Sequence, residues 1–164
     1  GSGLSNDDAL AYSASRFVVC DGATALAGGI TDSGRRAARI VAERLAGVRN
    51  GATTTLAADV QAANEEIARA MDAAGIDMTE RHTLWSTSFA AVEINDQTIS
   101  WCQSGDCLIA LFSTDGSSRL LTALPSQDRA VLQEWKRSAP RASGSIQEVL
   151  AEPIAAVRTF SSGS

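Results

Sequence analysis

Four short runs of β-forming residues follow one another in the middle of the chain, and they constrain its fold more than any other feature. The runs are Leu84–Ile94, Thr98–Gln103, Leu108–Ser113 and Arg119–Thr122. Turn sequences separate them, namely Asn95-Asp96, Gly105-Asp106 and Asp115-Gly116. Short strands joined by tight turns between neighbours in sequence predict an antiparallel meander.

One strand and two amphipathic helices are predicted ahead of the meander. The apolar run Phe17–Cys20 predicts a buried strand that stops at Asp21-Gly22. Apolar side chains then recur at helical spacing, which predicts one helix from about residue 32 or 33 to 45 and another from Thr55 to Ala74. This order of elements predicts an α+β fold in which helices pack on antiparallel sheets.

The length of the chain fits one domain. Its 164 residues match the usual domain size of roughly 100–200 residues. After the meander, residues 126–138 predict a further helix and residues 156–160 a further strand. We therefore expect a single domain over residues 1–164, with 1–3 and 161–164 as linker sequence.

Charge and cysteine content narrow the range of partners. Lys and Arg number 14 against 19 Asp and Glu, a net charge of −5, which argues against a surface that coats nucleic acid. No apolar run approaches the roughly 20 residues that cross a bilayer, so neither nucleic acid nor membrane is predicted as a partner. The three cysteines lack zinc-site spacing and predict free thiols in a reducing cytoplasm.

Three acidic segments stand at the ends of predicted strands rather than on helix faces. Asn6-Asp7-Asp8 precedes a strand, Asp21-Gly22 follows one, and Gly105-Asp106 lies between two. Clustered carboxylates bind hard cations such as Mg²⁺ or Mn²⁺, and a glycine lets its backbone carbonyl approach the ion. Two such ions close together activate water for attack on phosphorus.

Each of these features also has a plain structural interpretation. Asp-Gly is a common turn, and Asp115-Gly116 serves as an internal control because it is predicted to be only a hairpin turn. Adjacent acids such as Asp7-Asp8 are often solvated or stabilise a helix N-terminus. The basic cluster Arg35-Arg36-Arg39 is interpreted as a solvated helix face, with steering of phosphoproteins as the alternative.

The order of the motifs resembles the PP2C (PPM) family of metal-dependent protein serine/threonine phosphatases. The resemblance covers about residues 5–122 and lies in six segments: 6–9, 17–22, 28–29, 86–92, 101–108 and 120–122. It implies a PP2C-like sandwich of two antiparallel β-sheets flanked by helices. It also implies two bound ions of Mn²⁺ or Mg²⁺, with a third in some members.

The resemblance assigns roles to individual residues. It implies that Asp21 bridges two metal ions and that the Gly22 carbonyl is a further ligand. Asp7 and Asp8 would bind the metals directly or through water, and Asp106 would contribute to a third, weaker ion. With Asp8 and Asp21 as catalytic residues, a metal-bound water would hydrolyse phosphoserine or phosphothreonine in a phosphoprotein substrate.

Later parts of the family pattern are missing. The family supplies further Asp ligands in Ser-Asp-Gly and Asp-Asn motifs, and neither motif occurs after residue 122. This predicts that the domain is incomplete on its C-terminal side or is a degenerate relative. The alternative function is therefore a catalytically impaired pseudophosphatase that acts as a regulatory or protein-binding module, and an unrelated fold with a chance acidic pattern is a third interpretation.

Overall fold

The structure, a computed structural model, describes residues 6–23, 32–47 and 54–122. Within these ranges the strands are β1 Ala9–Tyr12, β2 Arg16–Gly22, β3 Thr87–Asn95, β4 Thr98–Ser104, β5 Ala110–Phe112 and β6 Ser118–Leu120. The helices are α1 Ser33–Leu45 and α2 Leu56–Ala73, with a 3-10 turn at Arg81–Thr83. Three predicted features lie outside the described residues: the helix over 126–138, the strand over 156–160, and segment 28–29 of the family resemblance.

The described strands form two antiparallel sheets. One has four strands in the order β1-β2-β3-β4, and the other is the hairpin β5-β6. The α+β prediction is confirmed. The single meander is wrong. The chain leaves the first sheet at Gly105, whose φ of 76° is readily adopted only by glycine, and among the described strands β5 pairs only with β6.

Strand β1 is the one element of the first sheet that the sequence pattern did not define separately. It has only four residues, and its side chains alternate between half-buried and exposed. A run this short carries no recognisable period of its own. It forms because Ala9 to Tyr12 pair with Cys20 to Phe17 of β2 across a tight turn, so tertiary pairing rather than local propensity defines it.

Small side chains let α1 lie close to the first sheet. Strand β2 alternates strictly between buried and exposed residues, and its buried side includes Val18 and Cys20. Facing them, α1 buries Ala37, Ala38, Val41, Ala42 and Leu45. Full burial of a side chain such as Leu45 stabilises the fold by about 1.5–3 kcal/mol. The inner face of the sheet is therefore fixed against α1.

The boundaries of α2 follow from its caps. The Thr55 hydroxyl accepts a hydrogen bond from the Ala58 backbone N–H at 3.2 Å, the N-cap arrangement predicted for this residue. At the other end Gly75 adopts a φ of 71°, which favours glycine after a helix C-terminus. Both predicted helices are confirmed. No helix in the described ranges is both long and apolar enough to cross a bilayer.

The outer face of the same sheet is apolar and largely open. Tyr12 on β1, Phe17 and Val19 on β2, and Trp101 on β4 expose between 43% and 68% of their surface. Their register places them on one face, since Tyr12 pairs with Phe17 and Val92 of β3 pairs with both Phe17 and Trp101. Asp21 continues this outer row of β2, so the acidic residues lie at the end of this face.

Two glycines bring the N-terminus of α1 directly against the end of β2. A Cβ atom on Gly22 would meet the Asp7 carbonyl oxygen and lie 2.5 Å from the Gly34 carbonyl oxygen. A Cβ on Gly34 would lie 2.8 Å from the Ala23 carbonyl carbon. These are backbone atoms that cannot turn aside, so the close approach requires glycine at both positions.

We expect Gly22→Ala to lower the free energy of unfolding by about 3 kcal/mol, because overpacking against fixed atoms is costly. Gly75→Ala is the matched control. A Cβ at position 75 has no atom within 4 Å. Only the positive φ disfavours alanine there, at a cost of about 1 kcal/mol. Urea unfolding of both variants measures the difference. Equal losses of unfolding free energy in the two variants would show that Gly22 is not packed tightly against Asp7 and Gly34.

Candidate metal centre

The register of the first two strands brings the two N-terminal acidic segments together. Ala9 pairs with Cys20 at the end of the β1–β2 ladder, so one further step along each chain places Asp8 opposite Asp21. The Asp8 side chain is near enough to raise the pKa of Asp21, through its charge and through hydrogen bonding. Residues that are 13 apart in sequence therefore meet at one sheet end.

Asp106 joins this pair from the other side of β2. Asp21 pairs with Ser88 of β3, and a Cβ on Gly105 would lie 2.6 Å from the Ser88 Cβ atom. This close packing of Gly105 on β3 carries Asp106 towards Asp21. Its carboxylate is near enough to raise the pKa of Asp21.

The pKa of Asp21 is raised by its surroundings. Burial of its carboxyl group raises the pKa most, followed by the negative charges of Asp8 and Asp106 and the hydrogen bond with Asp8. Each of these effects disfavours a third negative charge in the cluster. A divalent cation would relieve that repulsion, and carboxylate oxygens are the donors that Mg²⁺ and Mn²⁺ prefer.

The donor chemistry of the cluster fits a hard cation, but the set is small. Among residues 6–23, 32–47 and 54–122, no group of three or more His, Cys, Asp or Glu side chains is arranged to hold a metal ion. The described part of the chain thus offers the carboxylate pair Asp8 and Asp21, with Asp106 nearby and the backbone carbonyl of Gly22 next in the chain.

Asp7 has different surroundings from its neighbour. Its carboxylate oxygen Oδ1 lies 3.8 Å from Nε of Arg35 on α1, and its side chain is only 10% exposed. The Arg35 Nε–H also donates a hydrogen bond to the Asn6 carbonyl oxygen at 3.1 Å. Asp7 therefore faces the first turn of α1, whereas Asp8 contacts Asp21.

A cysteine thiol lies within the acidic cluster, which the sequence analysis did not foresee. The Cys107 thiol is near enough to the Asp8, Asp21 and Asp106 carboxylates for their charges to raise its pKa, while the Asp21 backbone lowers it. Burial, and then the charge of Asp106, raises the pKa of Cys107, and burial raises the pKa of Cys20 to about 12. Both thiols are therefore protonated at neutral pH and suit packing, in keeping with the prediction of free cysteines.

The internal control behaves as a turn. Asp115 accepts a hydrogen bond from the Ser117 backbone N–H at 2.8 Å, and hydrogen bonds from Ser117 lower the pKa of Asp115. Gly116 has a φ of 84° and closes the β5–β6 hairpin. The two Asp-Gly sequences thus have opposite electrostatics, because only Asp21 is surrounded by other carboxylates.

Sequence comparison finds no relative: no family model and no curated protein matches the chain. Solved structures do match. The serine/threonine phosphatase PstP/Ppp of Mycobacterium tuberculosis superposes with a TM-score of 0.59 at 20% identity, over 80% of this chain and 53% of that one. The catalytic domain of PstP in complex with two manganese ions gives 0.60 at 19% identity, over 80% and 54%.

A third match comes from another organism. The serine/threonine phosphatase Stp1 of Staphylococcus aureus superposes with a TM-score of 0.56 at 16% identity, over 81% of this chain and 54% of that one. The chain therefore has the fold of PP2C-type phosphatases, as the resemblance implied. The solved structures to which this chain is similar include PstP and Stp1, and the chain spans about half the length of each of those proteins.

The raised pKa of Asp21 predicts how the stability of the metal-free protein depends on pH. A carboxyl group whose pKa is raised by folding binds more protons folded than unfolded, so stability falls as pH rises from the ordinary value of about 4 through the raised pKa. The Asp21→Asn variant has no ionisable group at this position, so its stability does not fall with pH for this reason. We expect thermal unfolding at pH 7 without metal to occur at a higher temperature in Asp21→Asn than in the unchanged chain. An equal or lower unfolding temperature would contradict the proposed repulsion.

Proposed function

We propose that this chain carries the metal-binding part of a protein phosphatase that hydrolyses phosphoserine or phosphothreonine. The observation that carries the proposal is the carboxylate pair Asp8–Asp21, with Asp106 close by, at the end of β2. The fold shared with PstP and Stp1 supports it, and so does the presence of two manganese ions in one of those structures.

In this proposal Asp21 and Asp8 hold Mn²⁺ or Mg²⁺ together, with the Gly22 carbonyl as a further ligand and Asp106 serving a weaker ion. The bound metal supplies charge neutralisation and an activated water. The protein's own contribution is rigidity: Asp21 and Gly22 end a strand and pair with Ser88 and Thr87 of β3, so their backbone is held in place before binding. Asp7 acts at the rim of this centre, where it faces Arg35.

We propose a phosphoprotein as the substrate and the cytoplasm as the compartment. The substrate follows from the serine/threonine phosphatase neighbours. The compartment is supported by three unpaired cysteines, since thiols persist in reducing surroundings. The net charge of −5 weighs against nucleic acid as a partner.

A pseudophosphatase or protein-binding module is the second candidate. It is favoured by the small donor set, since the described residues contain no cluster of three metal-ligating side chains. A phosphothreonine peptide distinguishes the two. The phosphatase proposal expects Mn²⁺-dependent release of phosphate that stops on chelation with EDTA. Mn²⁺ binding without phosphate release, measured on the longest native chain that contains this sequence, would favour the module.

A further inference from the structure

Gln103 is a polar side chain at the end of an apolar row on the outer face of the first sheet. The row crosses all four strands, from Leu10 through Val19 and Ala90 to Gln103. The acidic residues belong to the adjacent row, since Asp21 stands two residues beyond Val19 on β2. Gln103 therefore lies on the outer face beside the acidic cluster.

The Gln103 side chain is hydrogen-bonded to the turn that carries Asp106. Its amide N–H donates to the Gly105 carbonyl oxygen at 2.6 Å. That carbonyl belongs to the planar peptide unit that joins Gly105 to Asp106, so the hydrogen bond fixes the direction in which the Asp106 backbone begins. The charge of Asp106 in turn acts on Asp21. One side chain of β4 thus constrains the turn that brings a carboxylate to the cluster.

Gly105 does not supply this rigidity itself. Glycine adopts positive and negative φ with similar ease, and the φ of Gly105 is 76°. A larger residue does not fit in its place, because a Cβ atom at position 105 would lie 2.6 Å from the Ser88 Cβ atom. A constraint on this turn must therefore come from another side chain, and the Gln103 amide provides one.

We propose that Gln103 is a positioning residue that holds Asp106 ready to bind the weaker metal ion, an inference that rests on the proposed function. A carboxylate that is already oriented loses less conformational freedom when it binds an ion. Hydrogen bonds that orient metal ligands typically account for about 10–100-fold in metal affinity. Gln103 acts through the backbone and not on the carboxylate itself, so we expect the lower end of this range.

Titration with Mn²⁺, followed by the electron paramagnetic resonance of the free ion, tests the inference because it counts bound ions without reference to activity. Asp106→Asn identifies the weaker class of bound Mn²⁺, since it removes the carboxylate that serves this ion. We expect Gln103→Ala to raise the dissociation constant of that class about tenfold. The Mn²⁺ held by Asp8 and Asp21 should bind as tightly as in the unchanged chain.

Two further variants test whether the amide of Gln103 is responsible. Gln103→Asn keeps the amide donor on a shorter side chain, so it should restore part of the affinity that Gln103→Ala loses. Gln61→Ala is the matched control, because the exposed Gln61 amide donates to Glu65 of the same helix at 3.4 Å. Neither class of bound Mn²⁺ should change in this control.

An unchanged affinity for the weaker ion in Gln103→Ala would overturn the inference. Equal losses in both classes of Mn²⁺, or a fall of many degrees in the unfolding temperature, would overturn it as well, because Gln103 would then stabilise the sheet as a whole.

The inference and the proposed function fail in different ways. If the unchanged chain binds no Mn²⁺, the proposed function fails and the role of Gln103 fails with it. If the unchanged chain binds Mn²⁺ only at Asp8 and Asp21, the metal pair stands, and the roles of Asp106 and Gln103 fail.

Discussion

Asp21→Asn is expected to weaken Mn²⁺ binding at least about 100-fold, because it removes the charged group that two neighbouring carboxylates surround. The amide keeps the size of the side chain, so the fold should persist. Isothermal titration calorimetry at pH 7 measures the affinity. The Mn²⁺-dependent hydrolysis of a phosphothreonine peptide should be lost in parallel.

Asp115→Asn is the matched control for this prediction. Asp115 also precedes a glycine, but it lies in the β5–β6 turn and accepts a hydrogen bond from Ser117. Mn²⁺ affinity should be the same in this variant as in the unchanged chain. Equal Mn²⁺ affinity in both variants would mean that Asp21 is not a ligand.

The same substitution should have opposite effects on stability and on metal binding. Without metal, Asp21→Asn relieves the repulsion among Asp8, Asp21 and Asp106, and the protein becomes more stable. With Mn²⁺, the unchanged chain gains stability by binding, whereas the variant does not. A residue retained only for the fold would not show this reversal.

Asp59→Ala is expected to lower the free energy of unfolding by about 3 kcal/mol, because it removes one of the two carboxylates that pair with the buried Arg16. The Arg16 Nη1 atom lies 2.7 Å from Asp59, and both side chains are at most 7% exposed. Arg16 also donates to Glu93 at 2.9 Å and to backbone carbonyl groups of Leu45 and Thr54. One guanidinium thus joins the sheet to the end of α1 and to the start of α2.

Urea unfolding of Asp59→Ala measures this loss. The triple substitution Arg16→Met, Asp59→Leu and Glu93→Gln should recover part of the stability, because it removes Arg16 together with both carboxylates that pair with it. Arg39→Ala removes one member of the Arg39–Glu43 pair at the surface. It should not measurably change the free energy of unfolding. If Asp59→Ala loses no more unfolding free energy than Arg39→Ala, the buried Arg16–Asp59 pair does not hold these elements together.

Metal affinity in Asp59→Ala should be normal under conditions where the variant is folded. Arg16 begins β2 and Asp21 stands five residues further on, which separates them by roughly 17 Å at the rise of an extended strand. The ion pair therefore stabilises one end of the sheet, and the acidic cluster occupies the other.

The helices of this fold were predictable from sequence because their signals are local. Leu56, Ala63, Ile67 and Met71 recur on one face of α2, and Thr55 and Gly75 mark its ends. The turn at Asp115-Gly116 was predictable for the same reason. Each of these features is specified by residues within one or two turns of chain.

Strand partners were harder to predict, because pairing depends on residues far apart. Nothing local to Ala9–Tyr12 distinguishes a strand, and nothing local to Gly105 shows that β5 leaves the first sheet. Likewise, the approach of Asp8 to Asp21 depends on the register of β1 against β2. The sequence supplied the acidic residues, and the register determines which of them meet.

The positions of Arg35 and Cys107 depended on packing as well. Arg35 belonged to a basic cluster interpreted as a solvated helix face, and the Gly22–Gly34 contact turns its helix end towards Asn6 and Asp7. Cys107 follows Asp106 directly, and it comes near Asp21 only once the chain turns at Gly105. Periodicity carries no information on contacts of this kind.

Anomalous scattering from crystals grown with Mn²⁺ tests the central claim most directly. The account predicts a manganese peak in contact with carboxylate oxygens of both Asp8 and Asp21. A map with no manganese at this end of β2, or with manganese bound only by other residues, would contradict it.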